Sequence, residues 1–249
     1  FSYHNVSLIK RNVTTLDLDF GSFGFESLAA DLSVLRTWTS TTQYAFDISW
    51  RATSPVIYNM GAGVFKFFGG ASVEWGLPAC ETTGSIILNG TAHTIDPSKS
   101  FTWYDRQYGD TLGSGSTSPF VAGNWTWFEL HFSHSTRASI WAVDIGSQKF
   151  RFATIRKGDG SHTVIPFTLE SGEEGAWTSP LSNYPYPQNW ELSFSNGDRL
   201  KLKSVRKNQE LYSSVVRSDS AYEGFVTASG RLLGEDASFG LVEMAVVAG

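Results

Sequence analysis

The sequence has one cysteine and few basic residues, and each of these shortages excludes or disfavours certain classes of function. Cys80 alone excludes an intramolecular disulfide and a thiolate metal cluster, so a small buried residue is its predicted role, with a catalytic thiol as the alternative. The 19 Lys and Arg residues against 24 Asp and Glu give a net charge of −5 without a basic cluster, which argues against nucleic acid as a partner. No apolar run reaches the roughly 20 residues of a membrane-spanning helix, and we expect no membrane partner.

The familiar catalytic and cofactor signatures are absent as well. The chain has no phosphate-binding G-x-x-x-x-G-K-[ST], no G-x-S-x-G elbow and no H-E-x-x-H. His131 and His134 are three residues apart, so on a strand they point to opposite faces. No further ligands with metal-site spacing lie near them. We therefore expect no metal and no organic cofactor.

Four N-x-[ST] sequons, at Asn5, Asn12, Asn89 and Asn124, exceed the number that the abundance of Ser and Thr leads us to expect. Phe1 is not an initiator methionine, which is consistent with removal of a leader. We predict a glycosylated protein of the secretory pathway.

Period-2 alternation dominates the chain, and sustained helical periodicity is nearly absent. QYAFDISW, KFRFATIRK, NWELSFSN and RLKLKSV read as strands, whereas FESLAADLSVL suits either a strand or a short helix. Asn196-Gly197-Asp198 and Gly158-Asp159-Gly160 are predicted hairpin turns. The Gly-rich and Ser-rich loop at 109–123 is a predicted domain boundary or mobile lid.

About eight short strands follow this loop. They begin near Trp125, Ile140, Phe150, Thr163, Trp190, Leu200, Tyr222 and Phe239. Eight antiparallel strands suit a small barrel, whose interior can hold one small ligand. We predict an all-β protein of two antiparallel β modules, a sandwich-like module at residues 1–115 and an up-and-down β-barrel at residues 120–249.

The stretch SFTWYDRQYGD, residues 100–110, mixes aromatic and charged groups on both strand faces. Trp103, Asp105 and Gln107 share one face, while Tyr104 and Arg106 lie on the other. Such a pattern is typical of a buried polar network or of a pocket wall. We expect Asp105 to face a pocket.

We expect Arg106 to be buried against Glu223 or Glu243, two acids in otherwise apolar strands. Arg151 is a second candidate partner for these acids, and catalysis is the alternative role for them. Removal of Arg106 should then leave a buried charge unpaired and impair folding.

The strand WTWFELHF has an apolar face at alternate positions and a second face of different chemistry. That second face presents Trp125, Trp127, Glu129 and His131. It either contacts a ligand or lies at a domain interface or on the surface.

Several of these segments resemble a known family. WYDRQYG (103–109) resembles the W-x-D-[RH]-x-W-G signature of the AttH-like, lipocalin-like family, which includes carotenoid hydratases of the hydroxyneurosporene synthase type. Further segments follow in the family's order: WGLP, GSIILNG, WTWFELHF, NYPYPQNWELSF, AYEGFVTASG and FGLVEM. RATSPVIYNMGAGVFKFFGG is most similar to the fungal members, among them kievitone-hydratase-like proteins and pericyclases.

The resemblance implies two lipocalin-like modules, a hydrophobic pocket at or near their junction, and no cofactor. With the strand patterns, it gives two sets of candidate residues. The candidate catalytic residues are Trp103, Asp105, Gln107 and Glu129. The candidate substrate-binding residues are Trp50, Trp75, Tyr104, Trp127, His131, Tyr184 and Glu223.

Three functions fit this sequence. The first is a cofactor-independent pericyclase, such as a hetero-Diels–Alderase acting on a quinone methide from a polyketide or terpenoid, because holding two partners in one geometry needs no nucleophile. The alternative is a hydro-lyase in which a carboxylic acid of raised pKa moves a proton. The third is a secreted carrier of a small apolar ligand. Sugar binding on exposed Trp faces is a separate, fourth alternative.

Overall fold

The computed structural model describes residues 16–41, 44–110, 123–172, 175–214, 217–236 and 238–247. Twenty strands occur in these residues: β1 (Asp17–Asp19), β2 (Phe23–Ser27), β3 (Val34–Ser40), β4 (Tyr44–Arg51), β5 (Ile57–Tyr58), β6 (Val64–Phe67), β7 (Gly70–Leu88), β8 (Thr91–Thr94), β9 (Phe101–Asp110), β10 (Gly123–His131), β11 (Arg137–Ile145), β12 (Gln148–Arg156), β13 (His162–Ser171), β14 (Trp177–Thr178), β15 (Pro185–Tyr186), β16 (Asn189–Phe194), β17 (Arg199–Ser204), β18 (Glu210–Leu211), β19 (Ala221–Arg231) and β20 (Ser238–Val247). Two 3-10 turns lie at Asn59–Gly61 and Arg217–Asp219. Within these ranges, no helix has the length and apolarity to cross a membrane.

The first sheet is built on β7, a strand of 19 residues. Its neighbour order is β1-β2-β3-β4-β7-β5, and β6, β8 and β9 also pair with β7. The segment FESLAADLSVL forms β2, a turn and the start of β3, so its strand alternative is confirmed. Asn89 and Gly90, with φ of 50° and 76°, form the tight turn between β7 and β8.

The second sheet closes into an eight-stranded up-and-down barrel. Sequential antiparallel pairing joins β10, β11, β12, β13, β16, β17, β19 and β20, and β20 pairs back onto β10. The turns at Gly158–Gly160 and Asn196–Asp198 connect neighbouring strands as predicted, with φ of 90° at Gly197. The all-β class and the predicted C-terminal barrel are confirmed.

Alternate residues of the barrel strands fill its interior. This core includes Phe128, Leu130, Ile140, Ile155, Trp190, Leu192, Leu200, Tyr222 and Val242. Each buried side chain of this size stabilises the fold by about 1.5 to 3 kcal/mol relative to an exposed one. The interior of the barrel is therefore filled by side chains, and its polar side chains point outward.

Chain contacts divide the protein into two compact units. The first unit comprises residues 1–56 and 76–105, and the second comprises residues 57–75 and 106–249. The boundary predicted from the sequence, between residues 115 and 120, lies outside the described residues. Residues 57–75 belong to the second unit although they precede residues 76–105 of the first, and the residues of β6 and β7 that pair with each other all lie within 57–75.

The first unit has its own small core around Leu35, Trp50 and Cys80. The Trp50 ring centroid lies 5.7 Å from that of Phe25 and 5.6 Å from that of Tyr104. Cys80 is fully buried, as predicted, and burial raises the pKa of its thiol. A buried thiol of raised pKa is a packing residue rather than a nucleophile.

Replacing Gly240 by alanine should destabilise the barrel strongly. A Cβ atom at Gly240 would overlap the carbonyl oxygen of Glu129, on the neighbouring strand β10. The β10–β20 pair must move apart to accept it, at a cost of about 3 kcal/mol in the free energy of unfolding. Urea unfolding measures this cost.

Gly197→Ala is the matched control for this clash. Gly197 has φ of 90°, but no neighbouring atom lies within 4 Å of the position that a Cβ atom would take. Only backbone strain of about 1 kcal/mol is therefore expected. Equal losses of stability in the two variants would contradict the proposed clash.

Candidate functional site

The polar face of β10 is buried, although it points away from the barrel core. Trp127, Glu129 and His131 are each less than 10% exposed. We call the side of β10–β13, β19 and β20 that is opposite the core the outward face. An outward face that buries an acid and an imidazole requires compensating contacts.

Cross-strand register arranges this face in three rows. The aromatic row consists of Trp127, Trp141 and Phe152. The polar row consists of Glu129, Ser139 and Thr154. The basic row consists of His131, Arg137, Arg156 and His162. Adjacent rows are two residues apart along each strand, or about 6.6 Å.

The aromatic row is a stacked platform. The Trp127 and Trp141 rings stack with centroids 5.0 Å apart and planes at 15°. The indole Nε1 of Trp127 donates a hydrogen bond of 2.8 Å to Ser139 Oγ, which fixes the ring orientation. Phe65, from residues 57–75 of the same unit, packs 5.4 Å from Trp141 and 5.1 Å from Phe152. All three rings of the row are less than 10% exposed, so Phe65 covers the platform in this structure.

Residues 57–61 lie against the polar and basic rows. The backbone N–H of Met60 donates to Thr154 Oγ1 at 2.9 Å, and that of Tyr58 donates to His162 Nε2 at 3.2 Å. Met60 has φ of 55°, an unusual value for a residue other than glycine. Backbone strain of this kind is a feature of many functional sites.

Two carboxyl groups lie beside the aromatic row. Glu243 is in register with Trp127 on one side and with Glu223 on the other. Trp125 Nε1 donates a hydrogen bond of 2.6 Å to Glu243 Oε1, and the Glu223 side chain is hydrogen-bonded to that of Glu243. We call Glu223 and Glu243 the acid pair.

Burial raises the pKa of Glu243, because the charged carboxylate loses its hydration. Two carboxyl groups in hydrogen-bond contact must also share a proton, since both cannot ionise side by side. The raised pKa of Glu243 and its contact with Glu223 make the acid pair the candidate proton donor of this face.

His131 is a neutral group of this face. Burial and, to a smaller extent, the nearby charge of Arg137 lower its pKa to about 3. Its ring stacks on Phe239 with centroids 5.6 Å apart. The imidazole therefore carries no charge at neutral pH and does not act as a proton donor there.

Several buried polar atoms of the second unit have no hydrogen-bond partner among the described residues. They are Asn59 Oδ1, Ser72 Oγ, Arg137 Nε, Trp141 Nε1, Arg156 Nε and Ser238 Oγ. Native proteins pair nearly all such atoms with protein or ordered water. Three of these side chains belong to the three rows, so the outward face is the candidate site for a polar ligand.

The structure brings together four of the predicted site residues. Trp127, Glu129, His131 and Glu223 all lie on the outward face. Trp75 belongs to the same unit and is half-buried.

Five predicted site residues lie elsewhere. Trp50 and Tyr104 pack in the first unit's core. Trp103 and Asp105 are half-buried residues of that unit. Tyr184 packs against the barrel core, with the Arg217 guanidinium 4.4 Å from its ring centroid. Catalytic roles for Trp103, Asp105, Gln107 and Glu129 stay predictions.

The prediction for Arg106 is wrong. Arg106 is exposed, as is Gln107, and Arg106 forms no ion pair with a described residue. The acids that it was expected to neutralise, Glu223 and Glu243, instead contact each other across β19 and β20. Arg151, the second candidate partner, pairs with Asp144.

Two of the four sequons fall on described residues. Asn89, in the turn between β7 and β8, and Asn124, in β10, are exposed. Asn5 and Asn12 lie outside the described residues. Glycosylation at all four stays a prediction.

Sequence reasoning missed Ser139, Trp141, Thr154, Arg137 and Arg156. Each lies in a strand whose outward residues look like ordinary surface positions. These residues alternate with the apolar residues Ala138, Ile140 and Ile155, so the sequence could have predicted that they share the outward face. It could not predict which of them lie opposite one another on neighbouring strands.

The larger cavities lie away from the three rows. One of about 770 Å³ is lined by the charged outer residues Glu191, Lys201 and Lys203 among others. Another of about 300 Å³ lies at a barrel end, near Arg151, Tyr186 and Trp190. Neither contains the acid pair, so cavity size does not identify the candidate site.

A closed up-and-down barrel, a second sheet and a half-buried acid pair beside stacked indoles define a lipocalin-like protein with a polar site outside its barrel core. The AttH-like family profile matches residues 2–246, and the chain belongs to this family.

Two curated relatives carry the comparison further. The chain is 39% identical over 239 residues to kievitone hydratase of Fusarium solani subsp. phaseoli, covering 94% of this chain and 66% of that protein. It is 35% identical over 231 residues to dehydratase asqC of Emericella nidulans, covering 89% of this chain and 64% of that protein. The chain thus spans about two thirds of the length of these relatives.

Solved structures agree with the fold. The crystal structure of kievitone hydratase from Nectria haematococca is 36% identical, with a TM-score of 0.84, covering 95% of this chain and 72% of that one. An AttH-like protein from Nitrosomonas europaea gives a TM-score of 0.74 at 18% identity, over 92% of this chain and 69% of that one, which supports the fold alone.

Proposed function

We propose that this protein is a cofactor-independent hydro-lyase, which adds water to a carbon–carbon double bond or removes it from an alcohol. The observation that carries the proposal is the acid pair, Glu223 and Glu243, held beside the aromatic row by Trp125. The names of the two curated relatives, a hydratase and a dehydratase, support the same reaction class.

The acid pair supplies the proton for hydration. In the proposed reaction the shared proton of the pair passes to one alkene carbon, and the other carbon becomes cationic. Water then attacks the cationic carbon and returns a proton to the carboxylate. Dehydration follows the same steps in reverse, with the alcohol protonated before water leaves. A carboxylic acid of raised pKa is the donor that general acid catalysis needs near neutral pH.

The aromatic row stabilises the developing cation. Trp127 is in register with Glu243, and its indole stacks on that of Trp141. An indole face attracts a cation within about 6 Å of its centroid. Ser139 holds the Trp127 ring in place, so this stabilisation needs little rearrangement during the reaction.

The acid pair favours the hydro-lyase over the pericyclase. A pericyclic reaction depends on proximity and shape and needs no proton donor. A carrier that only binds its ligand likewise needs no proton donor. Neither alternative has a specific observation in its favour.

Labelled water tests the proposal directly. The protein, with kievitone as the probe, should give a product heavier by one water molecule and labelled when the solvent is ¹⁸O-water. Kievitone recovered unlabelled, while it quenches tryptophan fluorescence, would support the carrier instead. A product isomeric with the substrate and free of label would support the pericyclase.

A further inference from the structure

Two arginines of the basic row face each other without a carboxylate between them. Arg137 on β11 and Arg156 on β12 are directly opposite in the antiparallel register. Arg156 is only 2% exposed. Among the residues that the structure describes, no carboxylate forms an ion pair with either guanidinium. Like charges directly opposite on neighbouring strands destabilise a sheet.

The hydrogen bonds of both arginines are incomplete. Arg137 donates from one terminal nitrogen to the carbonyl oxygens of Phe132 and Thr136. Arg156 donates only a long bond of 3.3 Å to the carbonyl oxygen of Lys157. The Nε atoms of both are buried without a partner in the described part of the chain. A guanidinium has five donors in a planar fork, so most donors of Arg156 are unused.

Nearby groups do not neutralise this pair. His131, in register with Arg137, is uncharged at neutral pH. Glu235 attracts Arg137 electrostatically, but its carboxylate accepts hydrogen bonds from Ser133 and Thr136. Burial and, for Arg137, repulsion from Arg156 lower the pKa of both guanidinium groups. Neither guanidinium therefore has a hydrogen-bonded carboxylate among the described residues, although Glu235 lies close enough to attract Arg137.

We propose that Arg137 and Arg156 bind a planar oxyanion, a carboxylate or an ionised phenol, at one end of the substrate. A carboxylate matches the guanidinium fork through two parallel hydrogen bonds, and the single oxygen of a phenolate can accept one hydrogen bond from each arginine. That the bound anion is part of the substrate rests on the proposed function. The anion site itself could bind its ligand even if the protein catalysed no reaction.

The position of the pair limits the length of the substrate. Arg137 and Trp141 are four residues apart on β11, or about 13 Å along the strand. The substrate class is therefore an elongated aromatic or conjugated acid. Its anionic end lies at the basic row, and its unsaturated body lies on the aromatic row near the acid pair.

A matched pair of probes tests the anion site without turnover. Isothermal titration calorimetry would compare biphenyl-4-carboxylate with biphenyl-4-carboxamide, which has the same body and no charge. The carboxylate should bind the wild-type protein at least tenfold more tightly. A second pair, 4-nitrophenolate and 4-nitroanisole, shows whether an ionised phenol is accepted as well as a carboxylate.

Arg156→Gln should remove the preference for the carboxylate while leaving the carboxamide affinity within about twofold. Arg199→Gln is the control, since Arg199 is an exposed arginine ion-paired with Glu191 on the outer barrel surface. It should keep the full preference. The melting temperature of Arg156→Gln should not fall, because the substitution relieves a repulsion.

Equal affinities of the two biphenyl probes for the wild-type protein would overturn the proposal. So would an unchanged tenfold preference in Arg156→Gln, or a variant destabilised enough to show that Arg156 has a structural partner. Tight, arginine-dependent binding of the carboxylate without any hydration of kievitone would leave the anion site standing and count against the hydro-lyase.

Discussion

Glu243→Gln should lower kcat for water addition by about 100-fold or more, with KM changed only a few-fold. Glutamine keeps an oxygen that accepts the hydrogen bond from Trp125 Nε1, now 2.6 Å from Glu243 Oε1. It cannot deliver a proton, so only the chemical step is lost. Initial rates with kievitone measure the effect.

The same variant should change the pH dependence of the reaction. In the wild-type protein the rate of hydration should fall as pH rises through the raised pKa of the acid pair, since the donor loses its proton. Glu243→Gln should lack that decline.

Glu191→Gln is the matched control. Glu191 is also an outward acid of a barrel strand, but it pairs with Arg199 and Lys201 at the surface. It should keep wild-type activity. A Glu243→Gln variant with kcat within threefold of wild type would contradict the proton-donor role.

His131→Phe should make the protein resistant to mild acid. The pKa of His131 is about 3 in the folded protein and near 6.5 when unfolded. Between these values the unfolded chain binds a proton that the folded chain does not. The free energy of unfolding of the wild-type protein should therefore fall by about 1.4 kcal/mol per pH unit from this group as the pH is lowered.

Phenylalanine retains the stacking on Phe239 and removes the titration. Urea unfolding at pH 6.5 and 4.5 should show the wild-type protein losing about 2.3 kcal/mol more stability than the variant. His93→Phe, on the exposed strand β8, controls for the loss of an imidazole as such. Parallel losses in wild type and His131→Phe would show that His131 is not buried as a neutral group.

The barrel could be predicted because its signals are local. Alternation from Trp125 onward, and turns such as Asn196-Gly197, depend on neighbouring residues alone. The buried role of Cys80 follows from its chemistry. These features do not depend on how distant strands pair.

The candidate site could be predicted only in part, because it depends on register between strands. The alternation within β10 alone predicts that Trp127 and Glu129 share one face. Their alignment with Trp141 and Ser139 depends on the length of the turn at residues 132–136, which sets the register of β10 with β11. The juxtaposition of Glu223 and Glu243 likewise requires the register of β19 with β20. Arg106 was misplaced because an acid in an apolar strand was assumed to need a cation, whereas two acids can share a proton.

Residues 57–75 also have a consequence for inheritance. They belong to the second unit, but in the gene they lie between the two segments that form the first unit. A single recombination crossover that exchanges one whole unit therefore always exchanges part of the other unit as well. The barrel and the Phe65 cover of its aromatic row are encoded on both sides of first-unit sequence. We expect the two units to be inherited as one cassette, and to diverge together in substrate preference.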